Sequence, residues 1–271
     1  MPIYKKISNF KLLFFIVLFF SLFTFHFSLT LAQTPLQKAQ QDYTFQFSKY
    51  RDAQQNYISS KATYESFKTA TAKNDAFLKT KDYLTQIDNL YISYLLLVKE
   101  YSQEIDWTNS NDQRIKINQI FDDETSYLGQ HQQKVKNVQV LEELPPLAQT
   151  LKDYQEKIGQ PQVNKILATY EITRTKSLLE EFKQLSSTLD DYVNSKYSPS
   201  ESSVLANWRS EIDNIVKSTN LYLDQANGKF AKIQEEKTSE NDLKEISLLT
   251  SKANSQLQKS KSLFEEILRL L

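Results

Sequence analysis

Leu36, Tyr43, Tyr50, Tyr57 and Tyr64 recur at intervals of seven, and Ala39, Ala53 and Phe67 follow three positions after the first, third and last of them. On an α-helix a seven-residue step returns to nearly the same face, so these side chains form one stripe that must be covered. At 1.5 Å per residue a helix from Leu36 to Phe67 is about 50 Å long. Its partners must be long helices too. The stripe therefore predicts an all-α fold: an elongated antiparallel bundle of about six long helices with coiled-coil-like packing.

Composition points the same way. Hairpin turns draw on Gly, Asn and Asp to reach positive φ, and the 271 residues contain only three glycines (Gly129, Gly159, Gly228). Few turns imply long helices. There is no cysteine, which excludes disulfides, thiolate chemistry and iron–sulfur ligation. The first 32 residues hold Lys5, Lys6 and Lys11 and no acid, leaving 30 basic and 33 acidic groups, a formal charge of −3, on the rest. Such a body has no general attraction for phosphate backbones, and nucleic acid is excluded as a partner.

The N-terminus reads as an address. Three lysines precede an almost unbroken apolar run from Leu12 to Leu31, and Thr30-Leu31-Ala32 then offers small residues before polar Gln33. These are the features of a secretory signal peptide with cleavage between Ala32 and Gln33. An uncleaved anchor is the alternative, since about 20 apolar residues span a bilayer. Both place the body outside the cytoplasm, as a secreted, periplasmic or cell-surface protein, and confine membrane contact to residues 1–32.

Along the body, Thr34-Pro35 opens the striped helix, predicted to run to about Ala70, with a connection at Thr71–Asp75. The second helix, about Asp75 to Glu104, carries a seam of Tyr83, Ile87, Leu90, Tyr94, Leu97 and Tyr101 and a second stripe of Phe77, Leu84, Tyr91, Val98 and Ile105. Two stripes place it centrally. A third helix, capped within Asn109–Asp112, is predicted to reach Glu143 and to be ended by Pro145-Pro146. That proline pair marks a boundary between an N-terminal part, 33–143, and a C-terminal part, 144–271, which form either two units or one continuous bundle. In the C-terminal part a short helix from Pro146 to about Ile158 should stop at Gly159. The next runs from Pro161 to about Asn194 with Val163, Leu167, Tyr170, Leu178, Phe182, Leu185, Leu189 and Tyr192 inward. Ser198-Pro199-Ser200-Glu201 caps a sixth helix, in which Asn227-Gly228 is a potential break, and Ser239 with Asp242 caps the last.

No catalytic residue, metal ligand or cofactor site emerges. His131, the one histidine beyond the leader, lies in Gly129-Gln130-His131-Gln132-Gln133-Lys134 without a second histidine or a carboxylate three positions on. It reads as a solvated surface residue. The acidic doublets, such as Asp122-Asp123 and Glu180-Glu181, diverge by about 100° on a helix and cannot act as a pair. Asn109–Ile120 fails as a calcium loop, because Arg114 and Ile120 stand where glycine and glutamate are required. Trp107 and Trp208 read as packing residues. The isolated glycines form no phosphate-binding loop. The tyrosines admit two readings, a platform for a glycan or protein partner or an inward-packed seam, and the heptad spacing favours the seam. The function implied is an exported, non-enzymatic helical bundle of a cell envelope or the extracellular space, binding an unknown protein or envelope polymer. A membrane-active helical protein and the ectodomain of an anchored sensor are the alternatives.

Overall fold

The computed structural model describes residues 33–105, 107, 111–196, 203–235 and 240–270. The leader 1–32 with Ala32, the Ser198–Glu201 cap, Ser239 and residues 109–110 of the third cap lie outside them, as does the side chain of Tyr192. The chain divides at Thr34, and every described helix belongs to the body from Pro35 onward. Its fold is the all-α bundle, and no strand occurs among the described residues.

Helix α1 spans Pro35–Phe67 and α2 spans Ala70–Ser102. They form an antiparallel hairpin in which Tyr43 meets Tyr94 (centroids 6.0 Å apart), Tyr50 meets Tyr83 (5.7 Å) and Tyr57 stacks on Tyr83 (5.0 Å, planes 11° apart). Leu36, Ala39, Tyr43 and Ala53 are buried, and Tyr50, Tyr57 and Tyr64 are half-buried. Phe67 departs from the predicted seam and is 70% exposed. The cause is the turn, which comes earlier than Thr71–Asp75. Lys68 takes a left-handed conformation (φ 50°), and the Thr69 side chain accepts from the Ala72 N–H at 3.2 Å. Phe67 thus ends α1 at the tip of the hairpin, beyond the reach of α2.

Helix α3 spans Asn111–Asn137 and ends six residues before the predicted Glu143. The chain then extends at Val140 (φ −133°, ψ 149°), makes a 3₁₀ turn at Leu141–Glu143 and enters α4, Leu144–Tyr154, with proline in its first turn. Pro145-Pro146 therefore opens the short helix expected from Pro146, two residues earlier than predicted, and does not end α3; the first turn has no use for the missing N–H groups. Leu84, Val135, Val138 and Leu144 form the core between α2, α3 and α4. Each such buried aliphatic side chain contributes about 1.5–3 kcal/mol.

Gly159 does not stop the chain either. Gln155–Gly159 forms a π-turn and the helix continues as α5, Gln160–Lys196. Pro161 supplies the reason. It lacks an N–H, and its ring would collide with the carbonyl four residues back. The wider turn, in which the Gln160 N–H reaches the Gln155 carbonyl, accommodates the proline without a break.

Helices α6 (Ser203–Glu235) and α7 (Glu240–Leu270) complete the bundle by packing on α5. Arg209 of α6 donates to Asp190 and Asn194 of α5, each at 2.7 Å. Phe182 contacts Phe264 and Thr250 donates to Glu171, so α5 and α7 run parallel with α6 antiparallel to both. Asn227-Gly228 lies within an unbroken α6. Leu178 and Leu185, predicted inward, are 39% and 54% exposed. The inward row is instead Thr175, Leu179, Phe182 and Ser186, whose small polar members concealed it. Trp208 is buried, as is Trp107, which donates to the Ser102 carbonyl at 2.8 Å and sets its edge against Tyr170 of α5.

A candidate site in the polar core of α2, α3 and α4

The inward residues of α3 are Ile117, Phe121, Glu124, Leu128, His131 and Val135, stepping by four and three, and Val138 just past its end continues the row. Two seam positions, seven apart, are therefore ionisable. On α2 the facing row Leu84, Asp88, Tyr91, Leu95, Val98 and Ser102 has the same period and also carries an acid. The helical register that buries the aliphatic residues buries Asp88, Glu124 and His131 with them.

His131 is the clearest correction to the sequence reading, since it is only 2% exposed. Its Nδ1 lies 2.7 Å from Oδ2 of Asp88, and its Nε2 lies 3.3 Å from the Leu147 carbonyl oxygen of α4. Beside this pair, Gln132 donates to Oδ1 of Asn89 at 2.7 Å. Asp88 is fully enclosed, and its Oδ1 has no hydrogen-bond partner among the described residues. Burial raises the Asp88 carboxyl above the ordinary carboxylate range, and the hydrogen bond with His131 opposes this in part.

Seven residues earlier on α3, Glu124 is 2% exposed and accepts the Tyr154 hydroxyl at 3.0 Å. Burial is again the main cause of its raised pKa, with the Asp123 charge adding and the Tyr154 hydrogen bond subtracting. The Tyr154 ring stacks on Tyr127, centroids 3.4 Å apart and planes 11° apart. Tyr91 is pushed up to about 12 by burial and then by the Glu124 charge. Gly159, in the π-turn, leaves room beside the acid: a Cβ there would lie 2.8 Å from Oε1 of Gln155 and 3.2 Å from Oε2 of Glu124.

A second polar layer lies in the C-terminal group. Glu171 accepts the Thr250 hydroxyl at 2.9 Å, and burial raises its pKa against hydrogen bonds from Thr250 and Ser247. Thr250 is itself an inward position of α7, in the row Ile246, Thr250, Ala253.

These groups are held by neighbouring helices rather than presented to a ligand. Both ring nitrogens of His131 are occupied, and among the described residues no three His, Asp or Glu side chains are grouped to hold a metal ion. None of the described helices is long and apolar enough to cross a membrane. Polar residues at seam positions cost stability and fix register and partner choice in coiled coils, and that is the chemistry this arrangement supports. The sequence reading missed the whole network; the available signal was that Glu124, His131 and Asp88 each complete a four–three apolar row. Comparison with protein-family models, with curated proteins and with solved structures finds no match to this chain, so function must be inferred from geometry alone.

Proposed function

We propose that this chain is an exported helical-bundle module of a cell envelope or its surroundings, which binds a protein or wall polymer and catalyses no reaction. The observation that carries the binding reading is the aromatic row on the α1–α2 hairpin. Tyr43, Phe47, Tyr50, Tyr83 and Tyr57 follow one another with ring centroids 5.0 to 6.4 Å apart. Tyr50, Tyr57 and Tyr64 keep part of their surface accessible. Helix α1 has α2 as its principal neighbour, so the rings close one side of a two-helix seam and leave the other wet. Rigid, amphipathic tyrosines are favoured contact residues at low entropic cost. The basic and apolar leader supports export, and the enclosure of His131, Asp88 and Glu124 supports a structural use of the ionisable groups.

The test is co-sedimentation of the full chain with isolated envelope material and with purified wall polymer, repeated with Tyr57→Ser and Tyr64→Ser. The proposal expects retention that falls at least several-fold in the double variant while helicity is unchanged. Retention that ignores both substitutions rules out the hairpin as the binding face. Mass spectrometry of the exported protein's N-terminus decides separately between a chain beginning at Gln33 and an anchored one.

A further inference from the structure

His131 stands between two oxygen atoms that ordinarily accept: a carboxylate oxygen of Asp88 at Nδ1 and the main-chain carbonyl of Leu147 at Nε2. A neutral imidazole has one N–H and one lone pair, so it can satisfy only one of two acceptors. Both contacts form together in two ways. The ring is an imidazolium donating twice, or the Asp88 carboxyl keeps its proton and donates to Nδ1 while Nε2–H donates to Leu147. Either way the pair holds one proton more than an ionised aspartate beside a neutral histidine.

We propose that the Asp88–His131 pair is a proton-dependent clamp, whose retained proton fastens α4 to α2 and α3 and whose loss at alkaline pH releases it. The surroundings favour retention. The charged and titratable groups on the packed helices are Lys81 of α2, seven residues from Asp88 with its Nζ engaged by the Val138 carbonyl, Tyr91 of α2, Tyr127 and Glu124 of α3 and Tyr154 of α4, of which Tyr127 feels the Asp88 charge. Burial is the main cause that raises the Asp88 carboxyl, opposed only by His131 itself. Once the proton leaves, a nitrogen lone pair must face either the carboxylate or the Leu147 carbonyl. One of the two ties is then lost, and Nε2–Leu147 is the pair's tie to α4.

The sign follows from counting protons. In an unfolded or locally opened chain, an aspartate titrates near ~3.9 and a histidine near ~6.5. Between those values the opened pair also holds one proton, and closing is indifferent to pH. Above ~6.5 the opened pair holds none, closing takes one up, and the closed state loses about tenfold in its equilibrium constant per pH unit until the closed pair deprotonates.

Hydrogen exchange of the full chain between about pH 6 and pH 9, spanning the free-imidazole value, tests this. After correction for intrinsic exchange, protection of the peptide covering residues 144–154 should fall roughly tenfold per pH unit, while protection of residues 160–196 stays level. In Asp88→Asn the side-chain amide donates to Nδ1 and neutral Nε2–H serves Leu147, so both contacts survive without an added proton and the pH dependence should vanish. A level α4 profile in the unmodified chain overturns the proposal, whether or not the variant folds. An undiminished slope in a folded Asp88→Asn chain overturns it equally.

Discussion

Tyr154 and Glu124 face each other across the α3–α4 contact with hydroxyl and carboxylate oxygen 3.0 Å apart, a hydrogen bond that reaches the Glu124 carboxyl from outside its own helix. Removing the hydroxyl with Tyr154→Phe keeps the ring on Tyr127 but strips the acid of this donor. A buried group left without its partner costs about 1–3 kcal/mol. The raised Glu124 pKa sets the pH dependence: its stabilising protonated form is present below the ordinary value and lost as pH rises through the folded one. Because the lost bond favoured the charged form, the penalty should be greater at pH 8 than at pH 5. Urea unfolding at the two values checks this, and an equal penalty at both would show that Glu124 does not change its ionisation between them.

The turn between α1 and α2 makes a local prediction. Lys68 sits at φ 50° with its N–H on the Tyr64 carbonyl at 2.9 Å, a conformation that costs a side-chain-bearing residue about 1–2 kcal/mol. Lys68→Gly relieves that strain but loosens the unfolded chain, so it should stabilise by at most about 1 kcal/mol. Thr69→Ala removes the cap and should cost about 1 kcal/mol. Opposite shifts of the thermal midpoint in the two variants are the expected result; shifts of one sign would mean the turn is held by something other than these two residues.

What the sequence disclosed and what it withheld divide on physical grounds. The helices and the Tyr-striped hairpin were legible because heptad spacing of large apolar groups has one solution. The Lys68 turn was not, since a lysine carries no left-handed preference. As helix stops, Pro145-Pro146 and Gly159 misled for a related reason. Proline is compatible with a helix start as well as a stop, and glycine ends a helix only where φ turns positive, which no glycine here does. The polar core was hidden by assigning charged residues to the solvent by default. His131 and Glu124 occupy seam positions that a strict four–three count along α3 would have flagged, and Asp88 does the same on α2.

The three glycines separate backbone propensity from packing. All lie in helical segments, yet a Cβ at Gly129 or Gly228 meets nothing within 4 Å, whereas at Gly159 it meets Gln155 and Glu124. Gly129→Ala and Gly228→Ala should each stabilise by about 0.5–1 kcal/mol. At Gly159 the Gln155 amide can swing aside, but Glu124 is held by Tyr154, and the displaced carboxyl cancels the gain. Gly159→Ala should therefore match or fall below the unmodified chain in chemical denaturation. A gain there equal to the other two would show the π-turn to be free of the constraint that Glu124 imposes.

The tyrosines supply an alkaline signature. Burial pushes Tyr43 and Tyr91 up to about 12, with the Tyr91 hydroxyl adding to the effect at Tyr43 and Glu124 adding to it at Tyr91. Burial raises Tyr83 and Tyr94 further in the same direction. A tyrosine in the unfolded chain ionises near ~10, so above that value the unfolded state has released protons that the folded state retains. Stability conferred by these groups is complete below pH ~10 and declines as pH rises through the folded values. Phenolate absorbance followed from about pH 9 to about pH 12.5, on either side of the free-phenol value, should accordingly show a phase above that value that coincides with loss of helical circular dichroism. In Tyr43→Phe the helical signal should persist to higher pH, because one proton fewer is released on unfolding. A single phase centred near pH ~10 with helicity intact would mean that the hairpin rings are open to water along their whole length.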